Sequence, residues 1–295
     1  MSDELIARLD PARHVLIAGP TASGKSALAL RIAVEQGGAV VNADALQVWS
    51  CWRVLTARPS AADEAAAPHL LYGHVAPHRS YSVGDWLAEV AGLLAGGQRL
   101  IVTGGTGLYL TALTRGLAVI PPVPPEIRAQ GDAWLAQPGG LAQMVAALDG
   151  RTREGLDLRN PARVQRAWEV LAATGRGLAC WQAETPAPLI GGGDAARLVL
   201  NADRDRLAER IGRRFDAMLA QGAAEEVRAM IPAWHGAQQW TRAIGAAELK
   251  DYLQGRCSLD QARDRAVIAT RQYAKSQRIW FRGRMRDWTA VPAQI

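Results

Sequence analysis

The sequence predicts an α/β protein in which a parallel sheet is flanked by helices and a small all-helical segment is inserted. A buried apolar run, His14–Ala18, leads through a glycine-rich loop into a helical pattern. Two further apolar runs, Ala39–Asn42 and Arg99–Val102, alternate with helical segments, as in a parallel sheet. The proline-rich stretch 120–125 and the glycines at 191–193 bound a segment with helical spacing, which indicates the insertion.

The loop after the first predicted strand matches the phosphate-binding pattern G-x-x-x-x-G-K-[ST] at every fixed position. It predicts a P-loop NTPase-like core, in which backbone N–H groups close on an anion at a helix N-terminus. Lys25 adds a positive charge for the outer phosphates, and the Ser26 hydroxyl can hold Mg²⁺. The predicted phosphate-binding residues are Gly19, Pro20, Thr21, Ala22, Ser23, Gly24, Lys25 and Ser26.

Asp44 follows the second predicted strand, and it is expected beside the phosphate loop because the carboxyl ends of parallel strands share one edge. A helix cap or turn residue is the alternative interpretation of Asp44. The third strand runs into a second glycine-rich turn, 103–107, where backbone can approach a ligand closely. No acidic residue stands at that strand end, where a nucleotide hydrolase would place a metal-holding carboxylate, so the sequence argues against an ATPase.

Caps, periodicity and breakers predict the remaining elements. Residues 45–80 contain several prolines and are predicted to be irregular. The other predicted elements are a helix at Tyr81–Leu94 capped by Ser82, a helix opened by Asn160-Pro161 and ended by Gly175, a strand at Leu198–Asn201, a helix from Asp203 to Gly222, a helix opening at Trp240–Gly245, and a long helix capped by Ser258 with Gln261.

Composition changes predict two domains: a discontinuous core, 1–115 and 197–295, and a helical insertion, 116–196. The last long helix and its tail are rich in basic residues with aromatic residues between them. That pattern fits either a solvated helix face or a nucleic-acid surface. The basic residues are Arg263, Arg265, Arg271, Lys275, Arg278, Arg282, Arg284 and Arg286.

Composition also excludes several classes of protein. The apolar fraction of 49% and the charged fraction of 21% are typical of globular chains, and no run reaches the length of a membrane helix. Cys51, Cys180 and Cys257 lie far apart, which predicts neither a zinc site nor a disulfide framework and suits the cytoplasm. The net charge of +6 permits a nucleic-acid partner.

Four stretches together resemble one family: 19–26, Asn42–Trp49, Gly104–Tyr109 and Thr270–Lys275. With them the chain is similar to the bacterial tRNA dimethylallyltransferases of the IPP transferase family. These enzymes move a dimethylallyl group from its diphosphate to N6 of the adenine just 3′ of the anticodon, adenine 37. The resemblance implies dimethylallyl diphosphate and the anticodon arm of tRNA as partners, Mg²⁺ as cofactor, and a monomer.

The resemblance also implies roles for individual residues. Asp44 would be the general base, Thr106 would donate to the bridging oxygen of the diphosphate, and Lys25 and Arg214 would stabilise the leaving group. The implied tRNA-binding residues are Asp44, Ala45, Leu46, Gln47, Thr106, Arg128, Ala162, Arg163, Val164, Gln165 and Arg166.

The phosphate loop alone leaves two other functions open. A small-molecule kinase would consume ATP with a small acceptor. A non-catalytic RNA-binding protein controlled by a nucleotide would keep its function when Asp44 is replaced by Asn.

Overall fold

The computed structural model describes residues 2–236 and 238–293. Within these residues six strands form one parallel sheet in the order β3-β2-β4-β1-β5-β6. The strands are β1 (His14–Ala18), β2 (Ala39–Asn42), β3 (His69–Leu70), β4 (Leu100–Gly104), β5 (Ala195–Asn201) and β6 (Thr289–Pro292). The parallel sheet flanked by helices is therefore confirmed.

Three central strands bring distant loops to one edge of the sheet. In β1, Leu16 pairs with Val102 of β4 on one side and with Arg197 of β5 on the other. Asn42, the last residue of β2, pairs with Thr103. Because these strands are parallel, the loops that follow β1, β2 and β4 emerge at the same edge.

Five helices belong to the first part of the core. They are α1 (Ser2–Ala7), α2 (Lys25–Gln36), α3 (Ala61–Ala66), α4 (Val83–Ala95) and α5 (Gly107–Arg115), counted over the described residues. The expectation that 45–80 is irregular is wrong at two places. Ser60 caps α3 by accepting from the Asp63 N–H, and β3 pairs with β2 at the sheet edge. The Ser82 cap of α4 is confirmed.

The inserted segment has its own apolar core. Its helices are α6 (Pro125–Leu135), α7 (Gly140–Ala146), α8 (Gly150–Gly155), α9 (Pro161–Thr174) and α10 (Leu178–Ala183). Asn160 caps α9 by accepting from the Arg163 N–H, and Gly175 ends it with φ 68°, as predicted. Met144, Val164 and Ala167 are fully buried in that core.

The chain after β5 forms α11 (Arg204–Ala220), α12 (Ala223–Met230), α13 (Ala246–Leu253) and α14 (Leu259–Arg284). Gly222 ends α11 as predicted, since it follows the C-cap Gln221 in the left-handed region (φ 99°), and it is also the N-cap of α12. The helix predicted to open at Trp240–Gly245 is α13, which begins at Ala246 with Gly245 (φ 96°) as its N-cap. A 3₁₀ turn, Gln239–Arg242, precedes it.

Residue contacts divide the described chain into two units. One contains the residues up to Thr114 and from Ile190 onward, and the other is Arg115–Leu189. The predicted second boundary at 196/197 is wrong by a few residues, because it would cut β5, which starts at Ala195. No helix among the described residues is both long enough and apolar enough to span a membrane.

Candidate active site

The phosphate loop joins β1 to α2 with two residues in the left-handed region, Ala22 (φ 62°) and Gly24 (φ 87°). This alternation turns neighbouring backbone N–H groups to one side and makes an anion-binding concavity. Gly19 is required because a Cβ there would lie 2.6 Å from the Ser23 Oγ. Lys25 begins α2 and is only 9% exposed, with its ammonium 3.4 Å from the Pro20 carbonyl oxygen.

Burial disfavours the charged forms of the two basic groups in this site. It lowers the pKa of Lys25 to about 8, while the nearby Asp44 carboxylate opposes that shift and Arg214 adds to it. Burial also lowers the pKa of Arg214, again against the charge of Asp44. Arg214 reaches the loop itself, with its guanidinium 3.5 Å from the Thr21 hydroxyl. Two buried cations therefore share one carboxylate, and an incoming polyanion would relieve their mutual repulsion.

Asp44 stands in a tight turn directly after β2. Its N–H donates to the Asn42 side chain at 2.8 Å, and its own Oδ1 accepts from the Leu46 N–H at 3.0 Å. Asp44 is therefore a turn residue, as the alternative interpretation predicts. The carboxylate nonetheless lines the same cavity as Lys25 and Arg214, as the strand order requires.

The second glycine-rich turn follows β4 and leaves no room for a side chain at its glycines. A Cβ on Gly104 would lie 2.0 Å from the Ala43 carbonyl oxygen, and one on Gly107 would lie 2.2 Å from the Trp280 ring. The turn brings Thr106 against the Asp44 loop, where its Oγ1 accepts from the Ala45 N–H at 2.9 Å. Because that oxygen accepts from the backbone, the hydroxyl hydrogen can still be donated to a ligand.

A cavity of about 750 Å³, open to solvent, connects these groups. The phosphate loop, Asp44 and Arg214 line it together with the polar Gln47, Thr56, Thr270 and Tyr273 and with six apolar side chains. The apolar lining residues are Leu46, Leu55, Ile211, Phe215, Met218 and Ile244. The cavity thus suits a ligand with an anionic group at one end and a small apolar group at the other.

Glu226 of α12 holds part of the apolar wall in place. Its carboxylate accepts backbone N–H bonds from Arg53, Val54 and Leu55 at 2.8 to 2.9 Å. Charge-assisted bonds of this kind fix a loop that has no regular secondary structure. Gly245 packs closely against Phe215, another residue of this wall, since a Cβ at position 245 would lie 2.8 Å from the Phe215 ring.

Sequence reasoning missed Gln277, which joins two of the loops. The side chain is 5% exposed; its Oε1 accepts from the Thr21 N–H at 2.9 Å and its Nε2 donates to the Gly105 carbonyl at 2.9 Å. The Thr21 N–H, which was assigned to the diphosphate, is therefore donated to Gln277. The available signal was its position one turn after Tyr273 on α14, where both side chains share a helix face.

Tyr273 also lines the cavity, and burial raises the pKa of its hydroxyl, with the Asp44 charge adding to the shift. Gln47 lines the cavity too, but both N–H groups of its amide donate to backbone, at Thr56 (2.8 Å) and Ala57 (3.0 Å). Only the Gln47 carbonyl oxygen can therefore face a bound base.

The predicted RNA contacts in the insertion lie on and around α9. Ala162 and Arg163 are exposed on its first turn. Arg128 and Arg166 lie 3.4 and 3.8 Å from Glu169, whose side chain is 3% exposed. The prediction for Val164 is wrong, because Val164 is fully buried in the core of the insertion and presents nothing to a partner.

Two more predicted residues are half-buried and already partnered. Gln165 donates to Asp132 at 2.6 Å. The Ala45 backbone, as described above, bonds to Thr106.

Ser26 is exposed on the first turn of α2 and its side chain lines the cavity. In the part of the chain that the structure describes, no cluster of three or more His, Cys, Asp or Glu could hold a metal by itself. A single hydroxyl still fits Mg²⁺, which keeps several waters and takes most other ligands from a bound phosphate.

Comparisons with known proteins agree with this geometry. The family model IPP transferase matches residues 47–284, more than half of the chain, and the model Isopentenyl transferase matches residues 12–67. The chain is 71% identical over 289 residues to a tRNA dimethylallyltransferase of Paracoccus denitrificans, covering 96% of each. It is 60% identical over 290 residues to that of Dinoroseobacter shibae, covering 97% of each.

Solved structures share the fold. The full-length tRNA isopentenylpyrophosphate transferase from Bacillus halodurans is 28% identical with a TM-score of 0.68, over 96% of this chain and 90% of that chain. A eukaryotic dimethylallyltransferase acting on tRNA is 24% identical with a TM-score of 0.80, over 95% of this chain and 73% of that chain. The P-loop NTPase-like architecture predicted for the core is therefore confirmed.

Proposed function

The chain belongs to the IPP transferase family, and we propose that it transfers a dimethylallyl group from dimethylallyl diphosphate to N6 of adenine 37 in tRNA. One observation carries the assignment of the site: Asp44 lines the same cavity as Lys25 and Arg214, and the wall beside them is apolar. This arrangement supports an anion cradle, a pocket for a short prenyl chain and a proton acceptor within a single cavity.

In the reaction, the bond between the allylic carbon and the diphosphate oxygen breaks while a bond from adenine N6 to that carbon forms. Charge grows on the departing diphosphate, so donors placed around it stabilise the transition state more than the bound substrate. Lys25, Arg214 and the phosphate-loop N–H groups other than that of Thr21 act on the outer oxygens. Thr106 donates its hydroxyl hydrogen to the bridging oxygen, since Ala45 already donates to the Thr106 oxygen.

The exocyclic amine of adenine is a weak nucleophile because its lone pair is delocalised into the ring. Asp44 accepts the proton that N6 loses, which contributes roughly 10²–10⁴-fold in rate. The adenine must leave the anticodon stack to reach the cavity, at a cost on the order of a few kcal/mol that RNA binding has to offset. The Gln47 carbonyl oxygen is available to accept from the base.

Mg²⁺ belongs to the same proposal: held by Ser26 and the diphosphate, it would supply additional positive charge to the leaving group. Ala162, Arg163 and Arg166 at the start of α9, together with Arg128 of α6, are the insertion residues that we assign to tRNA. We propose a monomer acting in the cytoplasm on the anticodon arm.

The decisive experiment incubates the protein with unmodified tRNA and labelled dimethylallyl diphosphate and measures label in the RNA, with labelled ATP as a parallel donor. We expect prenyl label in tRNA and no transfer from ATP. Absence of label from a folded protein that binds both substrates would refute the proposal, and phosphoryl transfer to a small acceptor would instead identify a kinase.

A further inference from the structure

One face of α14 lies against the second glycine-rich turn. The Gln277 Nε2 donates to the Gly105 carbonyl at 2.9 Å, and a Cβ on Gly107 would lie 2.2 Å from the Trp280 ring. Tyr273 stands one helical turn before Gln277 on α14, and its side chain lines the reaction cavity. The proposed reaction gives Tyr273 no role.

Thr106 lies between the two glycines of that turn, with its backbone and its side-chain oxygen held by hydrogen bonds. Its N–H donates to the Ala43 carbonyl at 3.1 Å, and its Oγ1 accepts from the Ala45 N–H at 2.9 Å. A hydroxyl oxygen offers two acceptor positions and one hydrogen, which rotates to suit its neighbours. Ala45 fills one acceptor position, so the hydrogen can point in either of the two directions that remain.

The Tyr273 hydroxyl is the neighbour that can select between these directions. Burial raises the pKa of Tyr273, and the Asp44 charge adds to the shift. Hydrogen bonding with the Thr106 and Gln277 side chains opposes it. The phenol therefore keeps its proton at neutral pH and can donate in a hydrogen bond. Gln277 can supply a donor in turn, because its bond to Gly105 uses only one of its two Nε2 hydrogens.

We propose that Tyr273 is a positioning residue that acts through Thr106, an inference that rests on the proposed function. Its hydroxyl donates to the Thr106 oxygen, and its own oxygen accepts the second Nε2 hydrogen of Gln277. Both acceptor positions of Thr106 are then filled, one by Ala45 and one by Tyr273. The Thr106 hydrogen is left with one direction, toward the bridging oxygen of the diphosphate. A chain of hydrogen bonds also polarises its members, which strengthens the last donor as charge grows on the leaving group.

The test is a double-mutant cycle in the full chain, made of the wild type, Tyr273→Phe, Thr106→Ala and the double variant. The rate constant for prenyl transfer to tRNA is measured in a single turnover with saturating enzyme, so that product release does not enter it. Phenylalanine keeps the ring and removes only the hydroxyl. The control, Tyr252→Phe, removes a hydroxyl from a half-buried tyrosine of α13 that does not line the cavity.

Tyr273→Phe should lower this rate constant about 5- to 10-fold, as expected for the loss of one hydrogen bond. The KM for dimethylallyl diphosphate should stay within about twofold of wild type, which also shows that the variant is folded. Thr106→Ala should lower the rate constant roughly 10²–10³-fold. In the Thr106→Ala background, Tyr273→Phe should change it by less than about twofold, because no hydroxyl remains to be oriented.

Thr106→Ser supplies the rescue arm of the experiment. Serine restores a hydroxyl at position 106, so in this background Tyr273→Phe should again cost about 5- to 10-fold. Tyr252→Phe should leave the rate constant within about twofold of wild type in every background.

Equal losses from Tyr273→Phe with and without the Thr106 hydroxyl would overturn the inference, because Tyr273 would then act independently of Thr106. A raised KM for dimethylallyl diphosphate with an unchanged rate constant would also overturn it, and so would a rate constant equal to that of the control. A failure of the proposed function looks different. In that case the wild type itself would transfer no prenyl label to tRNA, and the inference would fall with it.

Discussion

The lowered pKa of Lys25 predicts that donor binding weakens at high pH. With a pKa of about 8, the ammonium is about nine-tenths charged at pH 7 and about one-tenth charged at pH 9. If the charged form alone binds the diphosphate well, affinity should fall up to tenfold per pH unit above pH 8. The binding free energy should then weaken by about 1.4 kcal/mol per pH unit. Bound diphosphate favours the charged form, so binding near pH 8 should take up about half a proton.

Calorimetric titration of dimethylallyl diphosphate without tRNA measures this effect, because no acceptor amine is then present. Two buffers with different ionisation enthalpies give the proton uptake at each pH from 7 to 9.5. Lys25→Arg is the control, since its guanidinium stays charged throughout this range and its affinity should not follow pH. Asp44→Asn should move the decline to lower pH, because the Asp44 carboxylate raises the pKa of Lys25.

The effect of Lys25 on folding stability cannot mimic the expected result, because it changes with pH in the opposite direction. Lys25 titrates near 10.5 when unfolded and near 8 when folded, so the unfolded chain binds more protons between these values. The Lys25 contribution to the free energy of unfolding therefore rises from about pH 8 to 10.5, while donor affinity falls. An affinity that stays flat from pH 7 to 9.5, with no proton uptake, would refute the electrostatic description of the site.

Three further variants test individual contacts. Asp44→Asn should lower kcat roughly 10²–10⁴-fold while tRNA affinity stays within about twofold of wild type; unchanged turnover would exclude Asp44 as the base. Gln277→Met should raise the KM for dimethylallyl diphosphate about tenfold or more, since Thr21 and Gly105 both lose their partner, and Gln277→Glu should raise it further by placing negative charge there. Glu226→Ala should lower the free energy of unfolding in urea by about 2–3 kcal/mol, because three backbone N–H groups lose a charged acceptor; Glu225→Ala, which breaks only an exposed pair with Arg228, should change it by less than about 0.5 kcal/mol.

The parts of the fold that the sequence predicts correctly carry their signals within a few residues. Ser82 and Ser258 cap α4 and α14 through bonds to residues three positions on. The Asn160 side chain caps the start of α9 through the Arg163 N–H, and Gly175 ends α9 in the left-handed region. Asp44 could be placed beside the phosphate loop because parallel strand order alone brings the two loops together.

The features that the sequence does not predict depend on contacts between distant segments. Gln277 and Thr21 are 256 positions apart, and nothing near either residue indicates the bond between them. The 3₁₀ turn at Gln239–Arg242 contains the buried Trp240, whose ring centroid lies 5.6 Å from that of Trp52, a contact that no local propensity reports. Ser60 and Asp63 are a local cap for α3, but the prolines on either side made a loop equally consistent with the sequence.

The phosphate loop by itself is compatible with a nucleotide or with an allylic diphosphate, and the remainder of the cavity distinguishes them. The end of β4, where a nucleotide hydrolase needs a carboxylate for its metal, carries the buried Thr103. The wall near the loop is formed by side chains such as Leu55 and Phe215, which suit a short hydrocarbon better than a ribose. Asp44 is then left to act on the acceptor. The chemistry of this chain is therefore determined by what surrounds its phosphate loop.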